Sequence, residues 1–170
     1  ADDYADSMYP DSAYGRVQVL YVGNSYDRAQ NLSGPARVYI LFDLSAIPRH
    51  AQVVSAEMML YQMNAPVSRQ TYEVHLVQTD WNETATNWRT RPASDPAVLS
   101  TARAPTNKDV WMSWNVTSAV QSWTNGEAAN YGFEIRVRNE RTGAANEASG
   151  FYSREYPKEE LKPKLRVLCK

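Results

Sequence analysis

One cysteine in 170 residues, Cys169, excludes an internal disulfide. Cys169 reads as a small apolar residue ending a strand, with a link between two chains as the alternative. Excess charge of either sign is missing too: Lys+Arg number 18 and Asp+Glu 19, and no basic stripe exists to neutralise a row of phosphates, which argues against nucleic acid. No run approaches the roughly 18 to 20 apolar residues of a membrane span, so no membrane insertion is expected. The opening ADDYAD lacks the charged-then-apolar layout of a secretory signal, which leaves a cytosolic chain or one already processed. Catalytic signatures are absent as well. The 2 histidines are His50, in a turn, and His75, on a strand. There is no Gly-X-Ser-X-Gly elbow, phosphate-cradling glycine loop, His-Glu-X-X-His or cysteine pair, and no spacing among the acids selects a pair for glycoside cleavage. The chain is not expected to be an enzyme.

What is present is alternation. In RVYILFDL, Val38, Ile40, Phe42 and Leu44 alternate with Arg37, Tyr39, Leu41 and Asp43; after a Pro-bearing turn, Val54, Ala56, Met58 and Leu60 alternate with Ser55, Glu57, Met59 and Tyr61. A period of two marks a strand with one buried face, and such strands need a second layer to cover them. Further strands are expected at Val17–Gly23, Thr71–Thr79, Val110–Val116, Tyr131–Arg138, Gly150–Ser153 and Leu165–Cys169. Asn24–Pro35 and Glu140–Ser149 read as loops, and Ala1–Gly15 as a loop or short edge strand. Val116, Ala119, Val120 and Trp123 carry a helical stripe, with Asn115 or Thr117 to cap it and Asn125-Gly126 to stop it. Eight or so strands, one short helix and no βαβ alternation predict a single all-β domain over residues 1–170, an antiparallel β-sandwich of jelly-roll type.

Several separated pieces carry a resemblance: Phe42-Asp43-Leu44-Ser45 with Ile47-Pro48; Trp81, Glu83, Trp88, Arg91 and Pro92; Trp114 to Thr117 with Val120 and Trp123; Gly150-Phe151-Tyr152-Ser153 with Glu155; and Pro163 to Val167. Together they resemble the DNRLRE domains, or disaggregatase-related repeats, extracellular β-sandwich modules some of which are grouped with carbohydrate-binding modules. Arg49-His50, where a small turn with Gly is usual, and Cys169 depart from the pattern. The resemblance implies a non-catalytic, secreted or cell-surface adhesion module whose partner is a glycan or polysaccharide, acidic ones included. The alternative is a structural subunit that assembles with copies of itself in a matrix, fibre or filament.

Site expectations come from the residues themselves. If the strands lie side by side, Arg37, Tyr39, Tyr61, Glu73, His75, Arg136 and Arg138 form one outward surface, extended by Tyr152, of residue types suited to sugars; the bland reading is a solvated face with ordinary charge pairs. The long connection Asp80–Thr106 has two readings. Trp81, Trp88, Arg89 and Arg91 could contact an acidic polysaccharide, or Trp81 and Trp88 could pin the loop to the core while Glu83 pairs with Arg91. Asp2, Asp3, Asp6 and Asp11 are candidate ligands of a structural Ca²⁺, although EF-hand spacing is missing. Asn31, Asn82 and Asn115 open Asn-X-Ser/Thr triplets, candidate glycosylation sites that lean toward an extracellular chain.

Overall fold

A computed structural model describes residues 1–170. In chain order the elements are β1 (Asp2–Asp6), β2 (Val19–Asp27), β3 (Leu32–Ile40), β4 (Val53–Asn64), β5 (Gln70–Leu76), β6 (Ser100–Ala104), β7 (Val110–Asn115), α1 (Thr117–Asn125), β8 (Phe133–Val137), β9 (Glu147–Tyr152), a 3₁₀ turn at Glu159–Leu161, and β10 (Lys164–Cys169). Hydrogen-bonded neighbours run β10-β4-β9-β2-β3-β8-β5-β6, with β1 also on β3 and β7 also on β4. Every pairing is antiparallel. The sheet curls until its two halves face each other. Tyr72 of β5 reaches across to β9, where its hydroxyl donates to Ser149 Oγ at 2.8 Å, and Trp114 Nε1–H of β7 donates to the Tyr72 carbonyl at 3.3 Å.

The alternation seen in the sequence fills the space between the halves. Val38 and Ile40 of β3, Ala56, Met58 and Leu60 of β4, Tyr72 and Val74 of β5, and Phe133, Ile135 and Val137 of β8 are buried in one cluster with Trp114 and Phe151. The Phe151 ring lies edge-on to both Tyr72 and Trp114, at 6.4 and 6.3 Å between centroids. Aromatic cores of this kind lose about 3–5 kcal/mol when one ring is truncated to Ala. The helix matches its stripe, with Ala119 and Val120 buried and Gly126 in the left-handed region at φ 74° closing its end. Asn115 Oδ1 accepts from the Thr117 backbone N–H at 3.0 Å, one position earlier than a standard N-cap.

The structure corrects several boundaries. Of the two readings of Ala1–Gly15 the strand is the one that holds, over Asp2–Asp6, and it is buried: its backbone pairs Asp2 to Ile40 through Asp6 to Ala36, so a strand carrying three aspartates is held by register rather than by apolar pattern. Asn24–Pro35 is not a loop; β2 and β3 run through it to a tip at residues 28–31, where Asp27 Oδ1 accepts from Ala29 and Gln30 and Asn31 turns the chain at φ 51°. β9 begins at Glu147, inside the expected Gly/Ala loop, and β6 lies inside the long connection after β5. β3 and β4 do not pair; β4 joins β7, β9 and β10 instead.

Candidate functional site

Three strands place the site. β3, β8 and β5 are neighbours, and their register sets Tyr39 opposite Glu134 and Glu134 opposite His75, one row across the outer face. On an open sheet this row would face water. Here the loop that follows β5 folds over it: Trp81 packs at 6.1 Å from the Tyr39 ring and donates its Nε1–H to the Tyr131 carbonyl at 2.9 Å. Trp81 and Trp88 both pack on a small cluster of Ala5, Tyr39 and Val77. The pinning role expected of these tryptophans is therefore present. Glu83, in contrast, does not pair with Arg91: it accepts from Arg154 and from the Asp2 backbone N–H, because the loop runs past the start of β1. Arg91 instead lies over the Trp88 ring, 4.2 Å from its centroid, and donates to the Trp88 carbonyl.

At the edge of this cover a cleft of about 340 Å³ opens between Arg37, Arg89, Arg91, Ser94, Glu134 and Arg136, with Pro92 and Ala93 also in its wall. Glu134 is its centre. Only 1 % exposed, its Oε2 accepts from Tyr39 Oη at 2.9 Å, Ser94 Oγ at 3.1 Å and Arg37 Nη1 at 3.3 Å. Oε1 accepts no hydrogen bond, although Arg136 Nη1 stands 3.4 Å away as an ion-pair partner. A buried carboxylate oxygen without a donor is costly, and a small shift of Arg136 would satisfy it. Arg37 is further held by both oxygens of Glu140, at 2.7 and 2.9 Å. Burial works against the Arg37 charge, but the bond from Glu140 and the charge of Glu134 more than offset it, so its pKa rises. Burial, then the charge of Glu134, pushes the Tyr39 hydroxyl well above its ordinary value, so Tyr39 is a hydrogen-bond donor here.

The expected single surface is thus two. Arg37, Tyr39, His75, Arg136 and Arg138 do come together, but Tyr39 and His75 are 0 % exposed and cannot touch a ligand; they support the residues that can. Arg138 lies outside the cleft, holding Glu73 at 2.7 Å. Tyr61 and Tyr152 face the other way, because β4 and β9 belong to the opposite half of the curled sheet. There their rings lie 5.9 Å apart and nearly parallel, Tyr156 stacks on Tyr152 at 3.6 Å, and Trp111 meets Tyr61 edge-on at 5.3 Å with Lys164 above it. Glu134 and Ser94 were missing from the expected site. Glu134 was readable as the lone acid in an outward row with Arg136 and Arg138; Ser94 carried no signal.

The four aspartates do not converge as cation ligands. Asp2 Oδ2 accepts from the Arg154 backbone N–H, Asp3 Oδ1 from that of Tyr4, Asp6 Oδ1 from that of Met8, and Asp11 is exposed and paired with Arg89. No group of three or more His, Cys, Asp or Glu side chains is placed to hold a metal ion. Asn31, Asn82 and Asn115 are all exposed; Asn82 and Asn115 turn their Oδ1 onto the hydroxyls of Thr84 and Thr117, each at 2.7 Å.

The fold is thus a curled antiparallel sandwich with a polar cleft on one outer face. The chain belongs to carbohydrate-binding module family 96, whose profile matches residues 1–168. This agrees with the carbohydrate-binding side of the resemblance; the disaggregatase-related name stays a resemblance. Among curated proteins the chain is 26% identical over 149 residues to the tRNA nuclease WapA of Bacillus subtilis (strain 168), which covers 81% of this chain and 6% of that protein. It is 37% identical over 61 residues to the tRNA3(Ser)-specific nuclease WapA of Bacillus spizizenii, 36% of this chain and 2% of that one. It is also 23% identical over 133 residues to bone morphogenetic protein 4 of Gallus gallus, 76% of this chain and 33% of that one. The chain thus spans only a small part of the curated relatives it matches. No helix is long and apolar enough to cross a membrane.

Proposed function

We propose that this module is extracellular and non-catalytic, and that it binds polysaccharide, acidic polysaccharide above all, in the cleft beside Glu134. Family membership supports a carbohydrate ligand. One observation supports its acidity and its place: Arg37, Arg89, Arg91 and Arg136 line one cleft around a single buried carboxylate with an unpartnered oxygen. Guanidinium forks match the two oxygens of a carboxylate, and each charged hydrogen bond contributes about 1.5–3 kcal/mol. Glu134, 1 % exposed, lies behind them and holds Arg37 at 3.3 Å. A sugar carrying a carboxylate, as uronic acids do, matches the guanidinium forks in front. The nuclease activity named for the WapA relatives belongs to whole chains of which this one covers about 6%, and nothing in the cleft calls for it.

The test is affinity electrophoresis through gels containing polygalacturonate or an uncharged glucan. Retardation is expected in the first and not the second, and it should weaken with added salt. Arg91→Ala and Arg136→Ala should each lower affinity about tenfold, the loss of one charged hydrogen bond, while Tyr61→Ala on the opposite face should leave it unchanged. Equal retardation by the glucan, or none by the uronate polymer, removes the reading.

A further inference from the structure

Across one short ribbon from the arginine cleft lies a second hollow of different chemistry. Val77 and Ser94 pair as an isolated antiparallel bridge, flanked by the Gln78 N–H donating to the Ala93 carbonyl and the Asp95 N–H to that of Leu76, each at 2.8 Å. Successive residues of an extended segment turn to opposite sides. Ser94 thus meets Glu134 and the cleft, whereas Asp95 joins the wall of a pocket of about 270 Å³. The end of β5, the last turn of α1 and the segment leading into β8 enclose that pocket.

Trp123 and Tyr131 are its aromatic walls, with Leu76 and Ala129 adding apolar surface. Both walls are braced from behind: the Trp123 ring packs 4.9 Å from that of Phe133, and the Tyr131 carbonyl accepts from Trp81 Nε1–H at 2.9 Å. The polar members are free. Asp95 Oδ1 accepts from the Ala97 backbone N–H at 2.8 Å, which leaves Oδ2 uncommitted. The Gln78 amide, the Trp123 indole N–H and the Tyr131 hydroxyl have no partner within the chain, and none of these groups is among the buried atoms that lack one, so all of them reach solvent. Aromatic faces beside loose acceptors and donors match a pyranose ring, whose C–H face is apolar and whose edge carries hydroxyls. An apolar ligand would strand Asp95 and Gln78 without water. An anion would meet Asp95, the one charged residue in the wall. The volume lies just below that of sites for drug-sized ligands, so it holds one ring and not a threaded chain.

We propose that this pocket is a second glycan site, which takes one uncharged sugar at a chain end or branch. It is independent of what the arginine cleft binds, and a long linear glucan, with few ends, offers it almost no ligand. The probes are methyl β-galactoside and methyl β-glucoside, titrated to about 50 mM into the intact chain and followed by proton–nitrogen NMR. At least one should shift the Trp123 indole and Gln78 amide signals with a Kd of about 1 mM, the strength that roughly a dozen non-hydrogen atoms supply at ordinary ligand efficiency. Ala129→Leu fills the pocket from an exposed position and should weaken binding more than about tenfold. Gln78→Ala removes a side chain with no internal partner and should weaken it about fivefold. Arg91→Ala, in the cleft, should leave it unchanged. No shift at Trp123 with either sugar, shifts centred on Trp111 instead, or an Ala129→Leu variant that binds like the intact chain overturns the proposal. Failure of polygalacturonate to bind removes the cleft reading alone, because neither probe carries a charge.

Discussion

Two aspartates on β1 should make this fold more stable in mild acid than in mild base, the reverse of the usual carboxylate behaviour. Asp2 and Asp3 are 2 and 0 % exposed, and Asp3 Oδ2 has no hydrogen-bond partner. Burial, opposed by the backbone N–H groups of Tyr4 and Tyr14, raises Asp3 from an ordinary 3.8 to about 7. Burial, opposed first by the Arg154 backbone N–H, raises Asp2 to about 6. For a carboxyl whose folded pKa lies above its unfolded one, the folded state binds the extra proton. Stability is therefore complete below the unfolded value and falls as pH climbs to the folded value, by about 1.4 kcal/mol per pH unit for each such group. Between pH 5 and pH 8 Asp3 titrates from 5 to 7 and costs about 2.7 kcal/mol, and Asp2 from 5 to 6 costs about 1.4, together about 4 kcal/mol. For a chain of this size that lowers Tm by about 8–16 °C. Asp3→Asn keeps an acceptor for the Tyr4 N–H and removes the ionisation, so about two thirds of the slope should vanish. Differential scanning calorimetry at fixed ionic strength measures both. A Tm equal or higher at pH 8, or an Asp3→Asn variant with the full slope, would refute the argument that desolvation governs these carboxyls.

Other perturbations test the cover and its anchor. Gly132 sits at φ 88°, and a Cβ there would lie 2.3 Å from the Ile40 carbonyl oxygen where β3 ends; Gly132→Ala should cost about 2–4 kcal/mol in urea unfolding, and a cost below 1 would mean that the turn adjusts freely. Glu134→Ala should cost about 3–5 kcal/mol, because it leaves Arg37 and Tyr39 without their shared acceptor at 3.3 and 2.9 Å. A loss no larger than that of an exposed ion pair would show that the network is not a structural anchor.

Much of the fold could be read from polarity alone. Strands that bury one face, such as Val53–Asn64 and Phe133–Val137, announce themselves because a two-residue period is what one covered face selects. The strands that were ambiguous or only partly delimited lack that signal. β1 is DDYAD, buried at every position, with aspartates where apolar residues were expected, and β9 is EASGFY, whose small polar members face covered surface on both sides. Neither has a polarity contrast to report, since a strand covered on both faces has no solvent side. The pairing of β4 with β7, β9 and β10 was equally hidden, because alternation fixes which face is buried but not which strand lies beside it.

The site was harder to read for a related reason. Alternation marks Arg37, Tyr39, Glu73, His75, Arg136 and Arg138 as one outward face, and three adjacent strands do gather them. Whether an outward face meets water depends on what crosses it. The loop that follows β5 crosses here, anchored by Trp81 through its bond to the Tyr131 carbonyl. It divides the row by depth, with Tyr39, Glu134 and His75 beneath it and the arginines at its rim. That division gives the face its chemical character. An exposed Glu134 would be a solvated acid among bases, neutralised at little cost. Under cover it becomes an anion that must find donors, so Arg37 and Arg136 are drawn to it, and their remaining N–H groups are held at the edge of a cleft before any ligand arrives. A loop that sequence patterning could describe only as a long irregular connection is thus what turns an ordinary charged strand face into an organised binding site.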